Sequence, residues 1–386
     1  MVWRFIRQRG VIPLVLILAA LVYWKLHSRA PNVTSVGYVA DRNVELWNTL
    51  AQVKQPVTEL HYGDRVEVLR SEGTSAQVRD ASGTIGWVLD SREIMDSELW
   101  AKSAALLGHA RTLPQQARGK TKTVSNVRIE PGRNGKRIFQ FMRGTPVIVL
   151  ERTVADAAQT GEEISQEERN AAAGQKPKQE DWLLVLRADD SSSSGPGPEA
   201  ASQDSAKPVS RASGGVVSAG PQTVQADSTT PGASPAMPPG PVAGWVLARF
   251  IELDLPGPVL DYASSADLRV VAAFELNRVP DGSGGEAPQY LVAGTRGPEG
   301  QACDFTMLRV YTWGAARKRY ETAYVESDLC GRLPIRVSQG AKGPEFRFSE
   351  AGDSSEERAY VMQQTAVRRV KESASPQSHP HSQPRN

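Results

Sequence analysis

Along much of this chain apolar positions alternate with polar ones in short runs, a period of two that marks half-buried strands. Such runs fall at 44–47, 66–70, 76–80 and 86–89, separated by the turn pairs Gly63-Asp64, Glu72-Gly73 and Ser82-Gly83. Strands this short with turns this close predict a small barrel over 33–96, a closure that also removes sheet edges. Past residue 96 the period changes. Leu99, Trp100, Ala104, Leu107 and Ala110 recur at steps of three to four behind Asp96 or Ser97 as a cap. One short amphipathic helix follows, stopped at Leu113-Pro114, inside a linker spanning 97–119.

A second alternating unit occupies 120–255, with strands expected at 138–142, 146–151 and 182–186 and at Gly244-Trp245-Val246. Two inserts interrupt it, 153–181 rich in Glu, Gln and Ala and 189–241 dominated by Ser, Gly, Pro and Ala. Neither composition buries enough apolar surface to offset chain ordering. Loop-closure entropy grows slowly with length, so both are readable as loops at hairpin tips. A third region, 259–371, carries runs at 269–276, 290–293, 306–313, 319–326, 334–337, 345–349 and 358–370. Within it Leu308 and Val310 face one way, and Met307, Arg309 and Tyr311 the other. This is the pattern of an antiparallel β-meander, which folds into a small sandwich or packs on the preceding unit, because a lone flat meander is marginal. Residues 372–386 form a polar, proline-bearing tail expected to be disordered. The fold class is mainly β.

One pattern occurs twice: Ile85-Gly86-Trp87-Val88-Leu89 and Ala243-Gly244-Trp245-Val246-Leu247. Upstream of each lies a valine-rich strand, Val66-Glu67-Val68-Leu69 and Val147-Ile148-Val149-Leu150. A repeated β unit fits a chain of 386 residues, which exceeds ordinary single-domain size. The formal charge of +2 is spread by alternating acids and bases, so no basic face suited to nucleic acid stands out.

At the N-terminus Arg4, Arg7 and Arg9 precede an apolar run over 11–24, closed by Lys25. Residues 1–30 read as a signal peptide or as an uncleaved transmembrane anchor, in membrane contact through 11–26. The run is short for a span, yet Tyr23 and Trp24 suit an interfacial belt and Lys25 or Arg29 can snorkel. Either way residues 31–386 lie on the extracytoplasmic side. The two cysteines, Cys303 and Cys330, pair in an oxidising compartment or remain buried thiols.

Nucleophilic catalysis needs a serine or cysteine beside a histidine held by a third group. The five histidines sit at 27, 61, 109, 379 and 381, none in such a context. No phosphate-cradling glycine loop or zinc spacing occurs, so no catalytic residue, metal or cofactor is assigned. Trp47, Tyr62, Trp87, Trp182 and Trp245 are the candidate contacts for a peptide or glycan, since aromatics bury area at low entropic cost. For Trp87, Trp182 and Trp245 a framework role competes, because strands favour aromatic packing. Trp47 follows Leu46 and so points to the opposite face. Arg317-Lys318-Arg319 lies at a hairpin turn.

The two β units resemble bacterial SH3-like domains, five-stranded barrels found in cell-envelope and wall-lytic proteins. In the second unit the matching residues are Asn126-Val127-Arg128 with Pro131-Gly132, Gly144, Val147-Ile148-Val149-Leu150, Trp182-Leu183-Leu184-Val185 and Gly244-Trp245-Val246. In the first they are Val44, Leu46, Leu60, Gly63 to Leu69, Ala76-Gln77-Val78-Arg79, Gly83 and Gly86-Trp87-Val88. The first copy departs from the pattern at Asn43-Val44-Glu45-Leu46, where such domains carry arginine and a Gly-Pro or Glu-Pro turn. With Arg319-Tyr320-Glu321-Thr322-Ala323-Tyr324, the arrangement is similar to uncharacterised membrane-anchored proteins of bacteria. The resemblance implies two small SH3-like barrels and an envelope location, and implies no reaction; with the short helix between them and the N-terminal segment, the expectation is an inner-membrane protein with a non-catalytic binding role. Peptidoglycan or an envelope protein is the implied partner; an assembly scaffold is the alternative, and a wall hydrolase a third.

Overall fold

The computed structural model describes residues 33–157, 178–188, 240–351 and 357–370. The membrane or signal segment expected over 1–30, most of both inserts and the tail lie outside these residues. No helix among the described residues is long and apolar enough to cross a membrane.

The first unit is one antiparallel sheet of β1 (Ser35–Val39), β2 (Asn43–Trp47), β3 (Pro56–His61), β4 (Arg65–Glu72), β5 (Ser75–Arg79), β6 (Ile85–Val88) and β7 (Ile94–Asp96). Its strand order is β3-β2-β6-β5-β4-β1-β7. The sheet curls as a half-barrel around Val39, Val44, Leu46, Leu60, Val66, Ala76, Val78 and Val88. Three of its strands leave weak sequence signals. β3 buries only Leu60 along PVTELH, β7 is three residues long, and β1 is broken in pattern by Gly37. That glycine is required: a Cβ there would meet Ile94 Cγ2 at 2.3 Å.

The second unit comprises β8 (Ala117–Thr121), β9 (Ser125–Arg128), β10 (Arg137–Phe141), β11 (Pro146–Asp156), β12 (Gln179–Arg187), β13 (Ala243–Leu247) and β14 (Ile251–Leu253). The order, β10-β9-β13-β12-β11-β8-β14, repeats the first unit position for position. A single 3-10 turn precedes the last strand in each, at Ser91–Glu93 and Ala248–Phe250. Two sequence expectations change here. The unit starts inside the expected linker, because Ala117, Gly119 and Thr121 alternate inward as β8. The first insert is narrower than 153–181, since β11 and β12 stay paired out to Asp156 and Gln179. Polar Glu180 and Asp181 are only 2% and 4% exposed there, because arginines neutralise them within the fold.

Between the units runs α1 (Ser97–Ala110), capped by the Asp96 carboxylate, which accepts from the Leu99 N–H at 2.7 Å. It is a packed wedge rather than a linker. Leu99 joins a core shared by Ala40 and Met95 of the first unit and Val127, Phe139 and Val246 of the second. Trp100 is stacked on Tyr38 at 4.9 Å and tilted against Tyr62 at 5.6 Å.

The C-terminal region opens with α2 (Gly257–Ser265), which the sequence reading missed, and continues through β15 (Leu268–Pro280), β16 (Glu286–Arg296), β17 (Met307–Gly314) and β18 (Arg319–Glu326). A second meander follows: β19 (Gly331–Gly340), β20 (Gly343–Glu350), β21 (Glu357–Gln363) and β22 (Ala366–Val370). The run expected as one strand over 358–370 is therefore a hairpin, turned at Gln364 with φ of 54°. Each meander is a four-stranded antiparallel sheet, and the two share a core of Leu276, Leu291, Leu308, Val310, Phe346, Phe348 and Tyr360. On the outer face of the first sheet, Val259 and Ala263 of α2 pack on Leu268, Val292, Met307 and Tyr311. The alternation of Leu308 and Val310 against Met307 and Tyr311 thus divides two cores. Cys303 and Cys330 form a disulfide that closes a sequence separation of 27.

Two buried polar joints tie the second unit to this region. Gln116 is fully buried, and its side-chain oxygen accepts from the Ile335 N–H at 2.8 Å while its backbone carbonyl accepts from the Ala273 N–H at 2.8 Å. Arg152 reaches Asp181 at 2.7 Å, Asp304 at 3.3 Å and the carbonyls of Gln301 and Cys303 at 3.0 Å each.

Candidate functional site

The five aromatic candidates fall in three places. Trp47 of β2 and Trp87 of β6 are cross-strand partners, so the register brings together two residues forty positions apart. Trp87 is 5% exposed and Trp47 half-buried. Lys54 lies 5.0 Å from the centre of the Trp47 ring and the Arg70 guanidinium 4.8 Å from that of Trp87. Cations over ring faces compete with, and preorganise for, a ligand's own positive or planar group. The result is an aromatic ledge edged by two bases.

The second copy differs at the matching point. Trp245 of β13 pairs with Arg128 of β9, so Arg128 stands where Trp47 stands in the first unit. The structure therefore aligns Glu45-Leu46-Trp47, rather than Asn43-Val44-Glu45, with Asn126-Val127-Arg128. Gly86 and Gly244 corroborate this register, since a Cβ on them would meet Leu46 and Val127 respectively. Trp182 and Trp245 are 1% and 9% exposed, packed with Ala110 of α1, Leu150 and Leu184. Trp182 borders a hollow of about 210 Å³ beside Arg128, Arg133 and Arg249. Arg133 and Arg249 both bind the Glu180 carboxylate, at 2.6 and 2.8 Å, which holds that acid down at about 2. Tyr62 sits apart from both, at the joint between units, with its ring 5.0 Å from Phe139 and its hydroxyl pushed up to about 12 by burial.

Sequence reasoning missed a cleft of about 640 Å³ between the two units. The β1–β2 turn supplies Asp41 and Arg42, the 3-10 turn supplies Glu93, and the β10–β11 hairpin supplies Met142 and Arg143. Asp41 pairs with Arg137 at 2.9 Å across the joint. Burial, aided by Asp41 and Asp90, pushes the Glu93 carboxyl up to about 7. That acid therefore changes charge near neutrality. Asp41, Asp90 and Glu93 are spread over fifty residues of the first unit, and the pairing of β1 with β7 gathers them. Met142 is 58% exposed at the rim, an apolar edge on a polar cleft. Among the described residues no group of three or more His, Cys, Asp or Glu is placed to hold a metal ion.

Compared with protein-family models, curated proteins and solved structures, the chain matches none.

Proposed function

We propose that this chain is a non-catalytic binding protein of the bacterial envelope, tethered at its N-terminus, whose two SH3-like units recognise peptidoglycan or an envelope protein. The observation that carries the reading is the duplicated strand order, with a 3-10 turn before the final strand in both copies. Two curled antiparallel sheets of one strand order are compatible with two small barrel-like units, which is what supports the SH3-like reading. Trp47, backed by the buried Trp87 and edged by Lys54 and Arg70, offers an aromatic and cationic surface for a peptide bearing carboxylates. Tethering supplies the affinity that a small surface lacks. A module held near its target sees a high effective concentration, so a weak contact suffices.

Cosedimentation of the purified full chain with isolated peptidoglycan, at low and moderate salt, tests the wall-binding version. Pelleting that falls several-fold with Trp47→Ala supports it; no pelleting of the parent protein at either salt rejects it. A second reading, an assembly scaffold without glycan contact, is favoured by the buried Gln116 and Arg152 joints, which hold the second unit and the C-terminal sheets as one body. Crosslinking in intact cells that recovers one stoichiometric protein partner selects the scaffold.

A further inference from the structure

The helix α2 is too short to cover the sheet it packs on. Nine residues at about 1.5 Å each reach roughly 13 Å, and the face beside it stays open. That uncovered face is a cleft of about 740 Å³, bordered by Arg296, Arg309, Arg317 and Arg319, with Glu321 the one carboxylate along it. Glu321 is engaged by Arg317 at 3.0 Å and Arg319 at 3.8 Å through the same oxygen. Four guanidinium groups against one carboxylate leave the cleft strongly positive.

Arg309 carries the argument. Strand alternation sets it between Met307 and Tyr311, on the face that α2 covers, where an apolar residue would be expected. Among the described residues its buried Nε has no hydrogen-bond partner. No ion pair is made by Arg309 or Arg296 among the described residues. A buried donor left unmade costs stability, and a guanidinium fork is shaped for a planar or tetrahedral oxyanion. The volume lies in the range of small-molecule sites and exceeds what a single inorganic ion fills. The Tyr262 ring, 37% exposed and stacked on Tyr311 at 6.2 Å, adds an apolar wall.

We propose that this cleft binds a small polyanion, a ligand carrying two or more phosphate or carboxylate groups, with Arg309 as the inner anchor and Arg296 and Arg319 at the rim. The cleft contains no residue of either barrel, so its failure and that of the barrel reading are separable.

The test is calorimetric titration of the full chain in detergent with tripolyphosphate and, separately, citrate. Binding of either probe is expected, weakening as salt rises, lost at least tenfold in Arg309→Gln and less in Arg309→Lys. Binding of tripolyphosphate alone assigns phosphate groups; binding of citrate alone assigns carboxylates. Arg65→Gln, which removes one charge from the first unit, should leave affinity within twofold. Should Arg309→Gln fail to fold, Arg296→Gln provides the same comparison at the rim. The proposal is overturned if neither probe binds, or if Arg65→Gln weakens binding as much as the cleft variant does.

Discussion

Replacing Arg152 with methionine keeps much of the aliphatic stem and removes the guanidinium that joins the second unit to the disulfide-bearing segment. In the native fold that group is fully buried, and its two terminal nitrogens serve four acceptors: Asp181, Asp304 and the carbonyls of Gln301 and Cys303. The side chains of Asp181 and Asp304 are 4% and 11% exposed, so Arg152→Met leaves two carboxylates with little access to water. Breaking a buried pair from one side costs about 3–5 kcal/mol. Asp181 keeps the Gly300 N–H at 2.9 Å and Asp304 keeps the Leu333 N–H at 2.9 Å, which places the expected loss near the lower end. Urea unfolding followed by tryptophan fluorescence reads the loss. Loosening of the Cys303 carbonyl should also speed reduction of the Cys303–Cys330 bridge by dithiothreitol. Because stranded charge is the cause, Arg152→Met combined with Asp181→Leu should recover part of the loss, whereas Arg152→Lys, with one ammonium for four acceptors, should not. A single Arg152→Met variant within about 0.5 kcal/mol of the parent would refute the reasoning, since that is the scatter of ordinary surface changes.

Two further outcomes follow from the same geometry. Gly244→Ala would drive a Cβ to 2.5 Å from Val127 and 2.9 Å from the Arg128 carbonyl, while Gly86→Ala meets the Leu46 side chain at 2.6 Å. Overpacking costs about 1–3 kcal/mol, with Gly244→Ala the worse because a backbone atom is slower to yield; equal melting curves for the two would contradict this. Glu93 sets a pH dependence. Its carboxyl is raised from 4.5 to about 7, so the folded state holds the extra proton, and its contribution is full below about 4.5 and lost as pH rises through about 7. After allowance for solvent screening the span is about 1–2 kcal/mol, and Glu93→Gln should flatten the stability profile between pH 5 and 8. An unchanged profile in that variant would discard the assignment.

Legibility in the sequence tracked local repetition. Strong alternation announced β4, β5, β6, β11 and β17, and the three-to-four-residue recurrence announced α1, because each of these buries a regular face. β3, β7 and β14 bury one or two side chains each and leave almost no period to read. α2 was missed for another reason: it begins without a side-chain cap, at Pro256, and buries only Val259 and Ala263. At the candidate sites, the aromatic residues were visible as residue types, but their grouping was not. Trp47 and Trp87 meet only through strand register, whereas Tyr62, as conspicuous in sequence, lies against Trp100 and Phe139.

By itself the sequence determined that the chain is mainly β, that a Gly-Trp-Val strand occurs twice, and where the apolar faces of the strongest strands point. These follow from side-chain period and from glycine, which are local properties. The tertiary structure alone decided that the two copies share one seven-strand order, that α1 is a wedge in their common core, and that the buried Arg309 Nε finds no hydrogen-bond partner among the described residues. Each of those depends on pairs far apart in the chain, brought within contact distance by packing that no single segment encodes.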